Sequence, residues 1–163
     1  MGKEGGKNEG VQRGVMFRGA TLLNLDAKGR MAVPSRYREE LFARCSGQLV
    51  LTAHPDCCIL LYPQPAWEPI QAKLMSLSSF DQRSSKLQRL LVGHAEDIEL
   101  DKAGRLLVSP VLREFAKMDR QAMLVGQGSH FEIWSIENWR KQMEGVMNQE
   151  NMDLPAELEG FAL

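Results

Sequence analysis

An internal duplication constrains this chain more than any other feature. Residues 26–33 read DAKGRMAV and residues 101–108 read DKAGRLLV, 75 residues apart, with Asp, Gly, Arg and Val at matching places. A short segment with a polar start follows each, PSRYREEL at 34–41 and SPVLREFA at 109–116. Downstream, QLVL at 48–51 matches QAMLV at 121–125, and ILLYPQPAW at 59–67 matches FEIWSIENW at 131–139, at an offset of 72. In both of the latter an apolar strand ends on an aromatic (Tyr62, Trp134) and a tryptophan follows five residues later (Trp67, Trp139). Several blocks recurring in one order mark a duplicated unit, so the two halves are expected to fold alike.

Each half reads as strands with short helices. Residues 20–25 and 31–33 predict two strands around the turn Asp26-Ala-Lys-Gly-Arg30. Glycine can take the positive φ of a tight hairpin, and aspartate at the turn entry can accept from nearby backbone N–H groups. The second copy repeats this as ELD, KAG and RLLVS. Ser109-Pro110 then fits a helix start, serine as cap and proline in the first turn; Pro34-Ser35 has the order inverted and fits it less well. Residues 48–62 and 121–134 predict a second strand pair in each copy, and Trp67 and Trp139 open a further helix.

Between the copies the pattern turns helical. Trp67, Ile70, Leu74 and Leu77 share one spacing, and Leu87, Leu90, Leu91 and His94 another, with a break at Phe80-Asp81 and Asp81 as cap. This linker is expected to pack the halves against each other. The organisation is therefore a disordered leader at 1–15, units at 20–67 and 96–139, a helical linker at 68–95, and a C-terminal helix with an acidic tail at 140–163.

Composition bounds the function. The chain has 163 residues and a net charge of −1, which excludes a globally basic nucleic-acid binder but not a locally basic one. Residues 16–44 carry six bases against three acids. Three cysteines, two of them adjacent, make a poor disulfide framework and fit a reducing cytoplasm. No apolar run is long enough for a membrane span, and the start lacks a signal peptide's apolar region, so a soluble chain is expected.

The sharpest candidate site is the hairpin tip, with Lys28 and Arg30 in one copy and Lys102 and Arg105 in the other. A narrow convex tip suits a DNA groove roughly 12 Å wide. Arginine can grip guanine O6 and N7 or clamp a phosphate, and lysine adds charge toward the phosphates. A charged turn that simply stays in water, with Asp–Arg pairs four apart as structural clips, is the alternative. His54, Asp56, Cys57 and Cys58 group four possible metal ligands, but adjacent ligands rarely close a tetrahedral site, so no metal and no cofactor are expected. A hydrolase using Cys57 or Cys58 needs His94 or His130 as base, and neither sits in a recognisable setting. The loop Gly126–His130 lacks the lysine of a phosphate-binding loop. Glu96, Asp97, Glu99 and Asp101 read as the solvated face of a strand, and no small-molecule substrate or catalytic residue is assigned.

These segments resemble the MraZ family. The resemblance rests on Met16-Phe-Arg-Gly-Ala20, Leu25-Asp26, Lys28-Gly-Arg30 and Val33-Pro34, then Leu60-Leu-Tyr-Pro63 with Trp67. It continues with Arg89-Leu-Leu91, Gly93-His94, Asp101 and Gly104-Arg105-Leu106, and spans Met16 to about Trp139. It implies a mainly β fold with added helices (α+β): a duplicated, swapped-hairpin AbrB-like β-barrel with a pseudo-two-fold inside one chain. It implies a transcription regulator that forms a ring-shaped homo-oligomer on double-stranded DNA. The DNA would carry repeated promoter boxes of its own division and cell-wall operon, and the protein would be cytoplasmic and nucleoid-associated. Arg30 and Arg105 are the implied DNA contacts, Lys28 matches as well, and Arg18 in the first matched block joins the set. Lys102 aligns with Ala27 rather than Lys28, which suits a phosphate contact better than base reading. Family members usually begin at the residue matching Met16, so residues 1–15 read as a misassigned leader, which intact mass would test. The competing reading is an oligomeric scaffold acting through protein–protein contacts.

Overall fold

The two copies pair their strands mainly with each other. The first copy contributes β1 (Ala20–Asn24), β2 (Arg30–Ala32), α1 (Ser35–Cys45), β3 (Gln48–Ala53), β4 (Ile59–Pro63), α2 (Gln64–Met75) and α3 (Gln82–Leu87). The last runs on as a π-helical segment, Gln88–Val92. The second copy contributes β5 (Glu96–Glu99), β6 (Arg105–Leu107), α4 (Pro110–Phe115), β7 (Gln121–Gly126), β8 (Phe131–Ser135) and α5 (Ile136–Met147). The computed structural model describes residues 16–148 and 155–162. The expected leader at 1–15 and the tail acids Glu150 and Asp153 lie outside the described residues.

Six strands form one antiparallel sheet in the order β1-β7-β8-β4-β3-β5, and β2 pairs with β6 as a separate ribbon. Exchanging the copies reverses this order without changing it, which is the pseudo-two-fold expected of a duplication. The register obeys it too: Asn24 faces Gln121 as Glu99 faces Gln48, and Leu61 faces Phe131 as Ile133 faces Ile59. Among the described residues, the ladders within a copy are β3–β4 and β7–β8.

Two expectations are corrected here. The barrel does not close: β1 and β5 are the edges of an open sheet, because β2 and β6 bond to each other instead of continuing its ladder. Nor do residues 20–25 and 31–33 pair as one hairpin around Asp26–Arg30: they are joined by the bridge Leu25–Met31, while β1 pairs with β7 and β2 with β6.

Burial explains why the ribbon stays with the sheet. Met31 and Leu106 from the ribbon pack with Leu49, Leu51, Ile59, Leu61, Leu124 and Ile133 from the sheet, and with Leu41 of α1 and Leu112 of α4. All of these are essentially inaccessible to solvent. Truncating one such leucine to alanine costs about 2–5 kcal/mol.

The sheet's other face is covered differently in each copy. Val50, Leu60, Tyr62 and Trp67 pack with Ile70, Leu74 and Leu91 of the linker. The linker therefore lies chiefly on the outer face of β3 and β4 rather than between the halves. It reaches the second copy where His94 meets Phe115, ring centroids 5.6 Å apart. The buried Thr52 hydroxyl donates to the Leu91 carbonyl and so supplies a donor to the π segment. In the second copy, Cys58, Val125 and Trp134 pack with Trp139 of α5. Helices α2 and α5 begin at Gln64 and Ile136, one turn before the tryptophans, because Pro63 and Ser135 occupy their caps. Ser109 and Asp81 cap α4 and α3, each accepting from a first-turn N–H.

Candidate nucleic-acid interface

The repeated Asp-x-x-Gly-Arg spacing builds the same turn twice. Asp26 Oδ1 accepts from the N–H groups of Lys28 and Arg30, both at 2.9 Å, and its Oδ2 accepts from Arg30 Nε at 2.8 Å. Asp101 Oδ1 accepts from Ala103 at 2.9 Å and Arg105 at 2.8 Å, and its Oδ2 from Arg105 Nε at 2.9 Å. The backbone donors of Arg30 and Arg105, then their guanidinium groups, hold both carboxyls below the usual carboxylate range. The residue before each arginine is glycine because φ there is +86° at Gly29 and +73° at Gly104.

Each turn commits one of the five guanidinium donors of its arginine, the Nε–H, to aspartate. Among the described residues, no other hydrogen bond uses the remaining donors. The two arginine side chains are 35% and 42% exposed. This arrangement fixes the guanidinium plane while leaving its outer edge available for a bidentate acceptor.

Pairing between the copies then sets where the arginines stand. In the ribbon, Arg30 faces Leu107, Met31 faces Leu106 and Ala32 faces Arg105. Met31 and Leu106 are buried, so the alternation puts Arg30, Ala32, Arg105 and Leu107 together on the opposite, outward face. Arg30 and Arg105 are diagonal neighbours, with Cα atoms about 7–8 Å apart. They begin strands rather than crown tips, which corrects the hairpin-tip reading. The tips carry the lysines. Val108 N–H donates to the Gly29 carbonyl and Val33 N–H to the Gly104 carbonyl, both at 2.9 Å, so the turns close opposite ends of the ribbon. Lys28 therefore stands at one end and Lys102 at the other, both exposed.

Two more arginines complete the stripe, and the sequence reading missed them. A Cβ on Gly104 would lie 2.2 Å from Arg38 Cδ, and one on Gly29 would lie 2.7 Å from Arg113 Cζ. Each turn thus rests on an arginine from the helix that follows the partner strand. Arg38 Nε donates to the Val33 carbonyl at 2.6 Å, whereas Arg113 Nε is buried and has no hydrogen-bond partner among the described residues. Their signal was present: both precede a glutamate and lie 75 residues apart, the offset of the turns. Six cations, Lys28, Arg30, Arg38, Lys102, Arg105 and Arg113, therefore gather on or beneath the ribbon with the carboxylates of Asp26 and Asp101.

Arg18 stands elsewhere. It is exposed before the start of β1, where the Tyr37 hydroxyl donates to its carbonyl. Its neighbour Arg36 donates to Thr21 Oγ1 at 3.0 Å and lies 4.6 Å from the centre of the Tyr37 ring.

The other constellations are structural. His54 Nδ1 accepts from Asp56 N–H at 3.0 Å in a turn where Cys57 has φ +64°. Cys58 is buried, and burial pushes its thiol far above the usual range. His94 is bound at Nδ1 to the Leu90 carbonyl at 2.8 Å. His130 stacks on Tyr62 at 4.5 Å, and burial lowers its pKa. Among the described residues, no three His, Cys, Asp or Glu side chains converge as a metal set. No helix among them is long and apolar enough to cross a membrane.

The family model "MraZ protein, putative antitoxin-like" matches residues 16–90 and again residues 91–159. The transcriptional regulator MraZ of Methylobacillus flagellatus is 70% identical over 148 residues, covering 91% of this chain and 100% of that protein. Those of Nitrosospira multiformis and Nitrosomonas eutropha are 55% and 50% identical, with the same coverage.

Proposed function

The chain belongs to the MraZ family, and from that premise we propose that the outward face of the β2–β6 ribbon enters the major groove of promoter DNA. Its relatives are named transcriptional regulators, a role that calls for DNA binding rather than catalysis. A two-stranded ribbon fits a groove roughly 12 Å wide. Arg30 and Arg105 read base edges with their free guanidinium edges. Lys28 and Lys102 at the ribbon ends neutralise flanking phosphates, and Arg18 adds a phosphate contact farther along the backbone. The observation that carries this reading is the placement of both motif arginines on one exposed face, each locked by its own aspartate.

The target and the assembly rest on the family resemblance. The boxes are tandem elements upstream of the protein's own gene in the division and cell-wall cluster, and the protein acts in the cytoplasm on the nucleoid. A ring-shaped homo-oligomer presents several ribbons at once and gains affinity through effective concentration, which offsets a net charge of only −1. The strands of each copy exchange across the pseudo-two-fold as in a swapped-hairpin AbrB-like unit.

Footprinting on the DNA upstream of the gene tests this. Protection of repeated boxes, weakened steeply by salt and lost in Arg30→Ala, is the expected result. Protection unchanged in Arg30→Ala refutes the assignment. A second reading, a scaffold working through protein contacts, draws on the exposure of Phe80 at 99% and Met147 at 80%. It predicts that Phe80→Ser abolishes partner capture while DNA binding plays no part in regulation.

A further inference from the structure

The ribbon's symmetry fails at one position of its outward face, and the failure has a chemical sense. The pseudo-two-fold equates Asp26 with Asp101, Gly29 with Gly104, Arg30 with Arg105 and Val33 with Val108. It equates Ala32 with Leu107. Of the four outward side chains, two are matched arginines, and the other two are a methyl group opposite Arg105 and an isobutyl group opposite Arg30. Leu107 is 49% exposed on a face otherwise built for contact with a polar ligand. Nothing in the fold requires a leucine there, because the core-facing position of that strand is Leu106, which is 1% exposed. The asymmetry continues into the next helix. Val111, 61% exposed in the first turn of α4, stands where the first copy has Arg36.

We infer that Leu107 is a specificity residue that recognises the C5-methyl group of a thymine, giving the ribbon a direction on a non-palindromic box. The inference rests on the groove reading proposed above. Leu107 faces Arg30 directly across the ribbon, so its apolar surface falls beside the base edge that Arg30 addresses. In the major groove the one apolar group on a base edge is the thymine methyl, and aliphatic side chains read it by burial. At the symmetry-related place, Ala32 opposite Arg105 offers less surface and so discriminates less. One half of the ribbon thus reads a polar edge with an adjacent methyl, and the other reads a polar edge alone.

The test uses the full-length protein and synthetic duplexes of the footprinted box, with each thymine in turn replaced by uracil, which lacks only the methyl. For the parent protein, one replacement should raise Kd about fourfold, the equivalent of one buried methyl-sized group. In Leu107→Ala that replacement should have no effect, while the all-thymine box binds about fourfold more weakly than it binds the parent. In Ala32→Leu, a second methyl-dependent position should appear on the other side of the box. Ala32→Leu also guards against a folding artefact in Leu107→Ala, since both sites are exposed. The inference is overturned if no uracil replacement weakens the parent, or if Leu107→Ala weakens thymine and uracil boxes equally. Loss of binding in Arg30→Ala with a flat uracil series rejects this inference and leaves the groove reading standing; unchanged binding in Arg30→Ala rejects both.

Discussion

Gly29→Ala probes the joint on which the arginine's position depends. Gly29 sits at φ +86°, where a Cβ crowds the following carbonyl and costs about 1–2 kcal/mol by sterics alone. The added methyl would also lie 2.7 Å from Arg113 Cζ and Nε and 2.9 Å from the Val108 carbonyl oxygen. The arginine can swing away, but the carbonyl belongs to the residue whose N–H closes the ribbon end on Gly29. Relieving that contact opens the closure, so the total rises to about 2–4 kcal/mol. For a chain of this size that lowers Tm by roughly 5–15 °C. Urea unfolding of the parent and variant at one pH measures it. Gly145→Ala is the matched control: it lies in α5, φ is ordinary, and nothing stands within 4 Å of the new methyl. There the same substitution should stabilise by about 0.5–1 kcal/mol. A Gly29→Ala stability within about 0.5 kcal/mol of the parent would refute the reasoning, since that is the range of a neutral surface change.

Further outcomes follow from the same geometry. Ser109→Ala removes the acceptor for Leu112 N–H and should cost about 1 kcal/mol in urea unfolding. Thr52→Val leaves the Leu91 carbonyl without its donor and should cost about 1–3 kcal/mol, with faster hydrogen exchange in residues 88–92 as the local readout. Asp26 and Asp101 titrate below their ordinary value of 3.8, so their contribution is fully present above that pH and is lost as pH falls through the folded values. Asp26→Asn should therefore flatten the acid limb of a stability–pH profile without changing its neutral plateau shape. Cys57 should react with iodoacetamide in the native protein while Cys58 reacts only on unfolding, as mass mapping of the labelled peptides would record.

What could be read from the chain alone follows the range of the interactions involved. The turns were legible because Asp26, Gly29 and Arg30 satisfy one another within five residues. The caps at Ser109 and Asp81 are equally local. The second strand pair of each copy was legible as well, at 48–62 and 121–134, but pairing between the copies was not, because β1 finds its partner in β7, with Asn24 opposite Gln121. No local pattern reports a ladder closed over that separation. The arginines were assigned to tips for the same reason: only the register between β2 and β6 shows them sharing a face. Arg38 and Arg113 were passed over because an arginine beside a glutamate on a short helix reads as solvated surface. Leu107 was hidden inside RLLVS, where an apolar run at a strand suggests burial on both sides and the structure buries only Leu106 and Val108. The linker's position also needed the fold, since its apolar stripe matches either half equally well in sequence.

The central claim is that Arg30 and Arg105 act together, in one groove, from one ribbon face. Methylation interference on a single box tests it most directly, because methyl groups on purine N7 block major-groove arginine contacts. With the arginines about 7–8 Å apart and base pairs rising about 3.4 Å, the interfering purines should cluster within two to three base pairs. Arg30→Lys, which keeps the charge but not the two-pronged grip, should weaken one part of that cluster and Arg105→Lys the other. Two clusters a full helical turn apart, or interference untouched by either substitution, would contradict the account.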